Sequence, residues 1–165
     1  MQDASTPYTC TVLLGRAEET DLMGAWFAHR LTAGDCVLLD GPVGAGKSHF
    51  CRALIREKLG HYIDVPSPTF TLVQTYEAAE CEIWHADLYR LTNSAELFEL
   101  GLDDALSDAL CLIEWPDRMG SVQPANAIRV HIAMDGDGRR VTIFAPGRAE
   151  LISGLCTYWS GQAGA

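Results

Sequence analysis

The stretch CVLLDGPVGAGKS, residues 36–48, decides the fold class of this chain. It begins with four apolar residues, Cys36 to Leu39, which is typical of a strand buried on both faces of a parallel sheet. Gly41 to Gly46 form a glycine-rich loop, and Lys47 to Leu59 have the pattern of a helix that ends at Gly60. A strand, a loop and a helix in this order predict an α/β protein with a mixed, mainly parallel sheet between helices.

Hydrophobic spacing and turn residues predict further elements on both sides of this stretch. In chain order we expect an extended segment at 8–14, a helix at 17–31, a hairpin of strands at 70–76 and 81–84, two short helices between 93 and 108, a strand at 110–113, a C-terminal hairpin of strands at 128–134 and 140–145, and a helix at 148–159. Asn93, followed by Glu96 three residues later, predicts a capping box at the first short helix. No linker separates these elements, so one domain spanning residues 1–165 is expected.

The charge of the chain excludes one class of function. Its 165 residues include 12 Lys and Arg against 22 Asp and Glu, a formal net charge of −10, while 48% of the residues are hydrophobic. This composition predicts a folded globular domain. Because nucleic-acid affinity comes largely from Lys and Arg that displace counterions, a stand-alone nucleic-acid binder is disfavoured.

Neither the cysteines nor the N-terminus indicates an extracellular protein. The six cysteines are evenly spread, with no C-x-x-C pair and no histidine cluster at metal spacing, so we expect six reduced thiols and no structural zinc. The N-terminus lacks a basic segment followed by an apolar one, and no run approaches the roughly 18 apolar residues that span a bilayer. We therefore expect a cytoplasmic protein with no membrane association.

The loop fits a phosphate-binding pattern. Gly41 to Ser48 match G-x-x-x-x-G-K-[ST] in full, between an expected buried strand and an expected helix. In such a P-loop the backbone N–H groups turn inward around phosphates, at the positive end of the helix dipole. Lys47 is then expected to contact β- and γ-phosphate oxygens, and the Ser48 hydroxyl to bind Mg²⁺. The pattern indicates a P-loop NTPase-like domain that binds a nucleotide, without naming the reaction.

Two carboxylates are candidates for the catalytic chemistry. Ligands of α/β sheets lie outside the carboxyl ends of the strands. Asp87 follows the apolar segment around Ile83, and Glu114 directly follows Leu110 to Ile113. Either could bind the metal ion or orient water, and either could instead be a solvated strand-end residue.

Four motifs together identify a family that the chain resembles. They occur in the order GPVGAGKS at 41–48, SPTFTLV at 67–73, HADLYRL at 85–91 and IEWP at 113–116. In order and spacing they are similar to those of the TsaE (YjeE) family, the ATPases of bacterial tRNA threonylcarbamoyladenosine biosynthesis. The resemblance runs from about Leu14 to about Ala145, nearly the whole chain.

The resemblance implies a set of site residues. The residues expected around the nucleotide are Gly41, Gly44, Ala45, Gly46, Lys47, Ser48, His49, Thr69, Thr71, Trp115, Arg139 and Arg140. Ser48, Glu114 and Asp87 would bind Mg²⁺, and Asp87, Lys47 and Glu114 would carry catalysis. Residues 67–71, called the switch segment below, would approach the γ-phosphate. One basic residue of the C-terminal hairpin would contact the nucleotide, and the sequence leaves Arg139 and Arg140 as alternatives. His85 is expected to pack in the core or to support a ligand rather than to be a catalyst.

The resemblance also implies an activity and partners. It predicts a Mg²⁺-dependent ATPase that acts with TsaD and TsaB in threonylcarbamoylation of the adenosine next to the anticodon, in tRNAs that read codons beginning with A. The transfer itself would not be made by this chain, and tRNA would be met only through the complex. Since no arginine finger is evident in the motifs, hydrolysis by the chain alone should be slow.

Other functions remain open at this point. A small-molecule P-loop kinase would suit the size of the chain, and Arg52 and Arg56 could serve an acceptor site. A GTPase-like switch lacks its N-K-x-D motif, because Asn93 and Asn126 are followed by Ser and Ala. A non-catalytic, nucleotide-dependent scaffold is the main alternative that is not an enzyme.

Overall fold

The computed structural model describes residues 8–163, and these form one seven-stranded sheet with helices on both faces. The strands are β1 (Thr9–Leu14), β2 (Cys36–Asp40), β3 (Val73–Glu77), β4 (Glu82–Asp87), β5 (Leu110–Glu114), β6 (Ile128–Asp135) and β7 (Gly138–Phe144). The helices are α1 (Ala17–Ala28), α2 (Lys47–Leu59), α3 (Glu96–Leu100), α4 (Leu102–Asp108) and α5 (Ala149–Ala163), with a 3₁₀ segment at Pro116–Val122.

The sheet has the order β1-β7-β6-β2-β5-β4-β3. Its centre is parallel, since β2 pairs in parallel with β5 and β6, and β5 with β4. The β3–β4 and β6–β7 pairs are antiparallel hairpins, and β1 joins β7 antiparallel. The expected fold class, a mixed, mainly parallel sheet with a C-terminal hairpin, is confirmed.

Each face of the sheet carries a hydrophobic core, because successive side chains of a strand point to opposite faces. In β2, Val37 and Leu39 pack in a core with Phe27 of α1 and Phe50 of α2. Leu38 belongs to a second core, formed with residues of α3, α4 and the 3₁₀ segment. The prediction that residues 36–39 form a strand buried on both faces is confirmed.

Two local predictions were wrong in detail. The strand expected at 70–76 begins only at Val73, because the chain turns before it: Leu72 has φ +68° and donates its N–H to Pro68 O at 2.7 Å. The capping box does not form. Asn93 Oδ1 instead accepts from Ala95 N at 2.9 Å, and Glu96 accepts from the Thr92 hydroxyl at 3.0 Å.

The expectation of six reduced thiols is also wrong. Cys10 of β1 and Cys156 of α5 form a disulfide, with their Cα atoms 6.0 Å apart. A separation of 146 residues hid this pair from any spacing rule. Cysteines 36, 51, 81 and 111 are free.

Parts of the remaining expectations lie outside the described residues. The expected single domain includes residues 1–7 and 164–165, which are not described. The prediction that the N-terminus is not a signal peptide also falls partly on residues 1–7. Within residues 8–163, no helix is both long enough and apolar enough to cross a membrane.

Candidate functional site

A cleft of about 710 Å³ lies at the carboxyl ends of the central parallel strands. Its walls are the P-loop and the first turns of α2, the start of α1, the switch segment, the ends of β4 and β5, and the β6–β7 hairpin. The volume lies within the range of about 300–1,000 Å³ typical of small-molecule sites. The site predicted from strand-end carboxylates therefore coincides with a cavity of suitable size.

Glycines give the P-loop its shape. Gly41 has φ +147°, and a Cβ there would lie 2.3 Å from Ile132 O of β6, so only glycine lets the loop leave the sheet at this point. Gly44 and Gly46 also have positive φ, at +83° and +113°. A backbone with this conformation points its N–H groups into the loop and forms a concave anion-binding site at the start of α2. The side chain of Ala45 is buried behind the loop.

Lys47 extends across the base of the loop. Its ammonium donates to Gly41 O and to Pro42 O, the latter at 2.9 Å, and lies 4.3 Å from the centroid of the Trp115 ring. Burial lowers the pKa of Lys47, while the carboxylates of Glu114, Asp40 and Asp87 act in the opposite direction. A buried cation among carboxylates is well placed to bind an anionic group that enters the cleft.

Glu114 is buried at the end of β5 and accepts hydrogen bonds from two side chains. Ser48 Oγ lies 3.0 Å from each of its carboxylate oxygens, and His85 Nε2 lies 2.7 Å from Oε2. The Cys51 thiol lies within 4.8 Å of the ligand atoms of both His85 and Glu114. Burial raises the pKa of Cys51 well above its usual value, so the thiol is neutral and adds no charge beside the carboxylate.

Asp87, at the end of β4, connects the switch segment to the site. It stands opposite Glu114 in the β4–β5 register. One of its carboxylate oxygens accepts from Thr69 Oγ1 at 3.2 Å, and the other accepts from Tyr89 N at 3.0 Å. The Ser67 hydroxyl in turn lies 2.8 Å from Thr69 Oγ1. The two carboxylates predicted from strand ends are therefore adjacent, with hydroxyl groups beside each.

The structure does not place all predicted residues in the cleft. Thr69 lies in it, whereas Thr71 is exposed outside it and accepts a hydrogen bond from Gln74. His49 lies at the cleft and its ring forms a 2.7 Å hydrogen bond with Asp21 of α1. Trp115 lies in the wall, with its ring centroid 4.8 Å from that of Tyr89.

The two hairpin arginines differ in position. Arg139 lies in the cleft and donates to the P-loop, with Nε 2.9 Å from Ala45 O and one terminal nitrogen 3.2 Å from Gly44 O. Arg140 lies outside the cleft, where it pairs with Asp135 at 3.0 Å. Of the two alternatives that the sequence leaves open, Arg139 is the one in position to contact a ligand.

The donor set of the site fits a phosphate group and a hard divalent cation. The P-loop amides, Lys47 and Arg139 suit phosphate oxygens. Hydroxyl and carboxylate oxygens from Ser48, Glu114 and Asp87 are ligands that Mg²⁺ prefers. The arrangement can therefore bind a nucleotide phosphate beside a cation and polarise the phosphate group.

Sequence reasoning missed one wall of the cleft. This wall is formed by Gly15 and Arg16, which directly precede α1, and by Thr20 of α1. Arg52 of α2, which the sequence offered only for the acceptor site of a kinase, also lines the cleft. Thr20 carried a usable signal, because it is a polar residue on the otherwise apolar buried side of α1. No pattern marked Gly15 or Arg16, since they reach the cleft only through the pairing of β1 with β7.

Comparisons with known proteins agree with the motifs. The family model described as threonylcarbamoyl adenosine biosynthesis protein TsaE matches residues 14–142. A Rickettsia bellii protein named tRNA threonylcarbamoyladenosine biosynthesis protein TsaE is 40% identical over 129 residues, 78% of this chain and 90% of that one. The Bacillus subtilis protein of the same name is 33% identical over 128 residues, 77% of this chain and 79% of that one. The crystal structure of Bacillus subtilis YdiB superposes with a TM-score of 0.74 at 26% identity, covering 91% of this chain and 95% of that one.

Proposed function

The chain belongs to the TsaE family, whose role is in tRNA threonylcarbamoyladenosine biosynthesis, and on this basis we propose that it is a Mg²⁺-dependent ATPase acting with TsaD and TsaB. The contact of Ser48 with Glu114 is the single observation that carries the ATPase proposal. It joins the metal-binding hydroxyl of a P-loop to a buried strand-end carboxylate, within a cleft that also contains Lys47 and Asp87.

The phosphates of ATP would be held by the chain's own backbone and cations. Amides of the P-loop and the N-terminus of α2 bind the phosphate oxygens, and Lys47 adds a positive charge from the base of the loop. Arg139 extends this positive region from the hairpin side. These contacts orient the phosphate chain and account for most of what a phosphoryl-transfer site must do.

Metal binding and the orientation of water are proposed for the residues at the ends of β4 and β5, together with Ser48. Ser48 and Glu114 would hold Mg²⁺, with Asp87 beside them. When bound, Mg²⁺ neutralises charge on the phosphate oxygens that it contacts. Asp87 accepts from Thr69, so a switch segment that moves with bound phosphate would change the surroundings of this carboxylate. We assign to Asp87 the orientation of the attacking water.

Partners would complete the catalytic site and supply the contact with tRNA. The net charge of −10 makes direct binding of tRNA by this chain unfavourable. TsaD and TsaB are proposed to stimulate hydrolysis and to carry out the threonylcarbamoyl transfer. A role in tRNA modification also carries the expectation of a cytoplasmic protein.

A phosphate-release assay tests this proposal. Wild-type protein with ATP and Mg²⁺ should release phosphate slowly, and adding TsaB and TsaD together should raise the rate. Lys47→Ala should lose activity in both conditions, because it removes the cation that faces the phosphates. Full activity in isolation that TsaB and TsaD leave unchanged would contradict the dependence on partners.

A pull-down separates the ATPase from a scaffold. We expect TsaB and TsaD to retain the wild-type protein in the presence of ATP and Mg²⁺, and to retain Lys47→Ala less. Retention that depends on nucleotide, combined with no hydrolysis under any condition, would favour a non-catalytic scaffold. Transfer of phosphate to an acceptor, in place of phosphate release, would favour a kinase.

A further inference from the structure

We propose that His85 is a positioning residue that holds the Glu114 carboxylate in place for Mg²⁺, an inference that rests on the proposed function. His85 lies on β4, two residues before Asp87, so both side chains project from the same face of the sheet. Strand β4 pairs in parallel with β5, which ends at Glu114. The sheet therefore brings the imidazole beside the carboxylate.

The contact between the two side chains is short and fully buried. His85 Nε2 lies 2.7 Å from Glu114 Oε2, and the two side chains are 1% and 3% exposed. Water at such a position cannot readily replace a lost protein hydrogen bond, so a buried carboxylate depends on the donors that the protein provides. For Glu114 these are Ser48 and His85.

The second nitrogen of His85 indicates what the ring does. Among residues 8–163, Nδ1 has no hydrogen-bond partner although it is buried. The contact with Glu114 is therefore the one polar anchor of this imidazole in the described part of the chain. A proton on Nε2 satisfies that contact and leaves Nδ1 as an unprotonated acceptor, which avoids a buried N–H without a partner.

Ser48 and His85 both donate hydrogen bonds to Glu114, but we expect only Ser48 to bind the metal ion as well. The P-loop pattern assigns the Ser48 hydroxyl to the cation as well, so its interaction with the carboxylate is shared with the metal ion. His85 donates to the carboxylate alone. A histidine or carboxylate that orients a metal ligand typically contributes about 10- to 100-fold to metal affinity or activity.

Two substitutions at position 85 separate the hydrogen bond from packing. In His85→Gln the side-chain amide nitrogen can reach the place of Nε2 and donate to Glu114. In His85→Asn the shorter side chain puts its amide nitrogen near the place of Nδ1, where no acceptor lies among the described residues. Both variants keep a polar amide of similar chemistry, so Gln serves as the matched control for Asn.

Metal binding is the readout, with Mn²⁺ as an electron paramagnetic resonance probe for Mg²⁺ in the presence of ADP. We expect His85→Asn to weaken Mn²⁺ binding about tenfold or more. His85→Gln should stay within about threefold of the wild type. ADP binding in EDTA should be unchanged in both variants, because the hydrogen bond of His85 is to Glu114 and not to the P-loop. The Mg²⁺ concentration for half-maximal hydrolysis should shift in the same order.

Two results would overturn the positioning role. One is a folded His85→Asn protein that binds Mn²⁺ as tightly as the wild type. The other is an equal loss in Asn and Gln, which would assign the effect to packing. A wild-type protein that binds no Mn²⁺ with ADP would instead refute the proposed function itself, so the two failures are distinguishable.

A measurement on the unsubstituted protein covers the case in which His85→Asn does not fold. Nitrogen-15 spectra of its imidazoles report which ring nitrogen carries the proton. We expect a proton on Nε2 of His85, protected from exchange with solvent. A proton on Nδ1 alone would leave Nε2 unable to donate and would overturn the inference.

Discussion

Ser48 Oγ lies 3.0 Å from both carboxylate oxygens of Glu114, across 66 residues of sequence. The contact joins the first turn of α2 to the last residue of β5. A P-loop serine and a strand-end carboxylate in contact are the arrangement from which a hard cation can be bound. The first prediction therefore concerns this pair.

Ser48→Ala should abolish metal-dependent ATP hydrolysis. The variant removes the oxygen that we propose to bind Mg²⁺ and one of the donors to a buried carboxylate, so we expect kcat to fall by about 100-fold or more. Ser48→Thr is the matched control, since it keeps the hydroxyl and should retain most of the activity. Equal activity in the Ala and Thr variants would exclude the hydroxyl from catalysis.

Asp87→Asn should separate hydrolysis from binding. Asparagine keeps an oxygen that can accept from Tyr89 N but removes the negative charge beside Thr69. We expect a loss of about 100-fold or more in kcat with ADP affinity within about threefold of the wild type. Calorimetry measures the affinity for ADP and a phosphate-release assay measures kcat, both on the same preparation. If the variant still hydrolyses ATP at the wild-type rate, Asp87 has no catalytic role.

Arg139→Ala should weaken nucleotide binding, and Arg140→Ala should not. Arg139 holds the P-loop through Gly44 O and Ala45 O inside the cleft, whereas Arg140 pairs with Asp135 outside it. Loss of a charge-assisted interaction of about 1.5 kcal/mol or more corresponds to roughly tenfold in Kd. Calorimetric titration with ADP measures both variants. A larger loss in Arg140→Ala would reverse the assignment.

Local sequence patterns predicted the centre of the fold and of the site. The apolar run of β2, the glycine loop and the helix ending at Gly60 each follow from residues close in sequence, and all are present. The adjacency of Asp87 and Glu114 followed from one general rule, that ligands meet the carboxyl ends of parallel strands.

The features that the sequence did not reveal depend on contacts between distant segments. Leu72 adopts positive φ where its carbonyl accepts from Asp87 N at 2.9 Å, a bond that exists only once β3 lies beside β4. The contact of His85 with Glu114 likewise requires the β4–β5 pairing. The disulfide of Cys10 with Cys156 requires α5 to pack on β1. Spacing predicted the β3–β4 hairpin, and the strand-end rule placed Asp87 near Glu114, but neither specifies these individual hydrogen bonds or the disulfide.

Thiol titration at pH 8 without reductant should detect one slowly reacting cysteine in the folded protein. That residue is Cys81, which is only partly buried. The protected thiols are those of Cys36, Cys51 and Cys111. Burial raises their pKa values, that of Cys111 to about 12, so the reactive thiolate is scarce well above the assay pH.

The same titration tests the disulfide. Unfolding in guanidinium without reductant should expose four thiols, and reduction before the assay should expose six. Six reactive thiols before reduction would show that Cys10 and Cys156 are not bonded. Labelling of a second thiol in the folded protein at the rate of Cys81 would contradict the burial of Cys36, Cys51 and Cys111.

Gly24→Ala should destabilise the protein, against the usual effect of replacing glycine in a helix. A Cβ at position 24 of α1 would lie 2.8 Å from Phe50 O and 3.0 Å from Leu54 N, both main-chain atoms of α2 that cannot move independently of the helix. Contacts of 2.8 Å with Phe50 O and with Ala53 Cβ place the cost of overpacking in the upper part of its usual range, at about 2–3 kcal/mol. Alanine gains about 1 kcal/mol in helix propensity, so we expect a net loss of about 1–2 kcal/mol in the free energy of unfolding. Gly154→Ala on α5 is the matched control: among residues 8–163 its Cβ would meet only Trp26 Cζ2, at 3.6 Å, and we expect a gain of up to about 1 kcal/mol. Urea unfolding at constant m measures both changes. A Gly24→Ala protein that is as stable as the wild type would contradict the close packing of α1 against α2, the helix that carries Lys47 and Ser48 in its first turn.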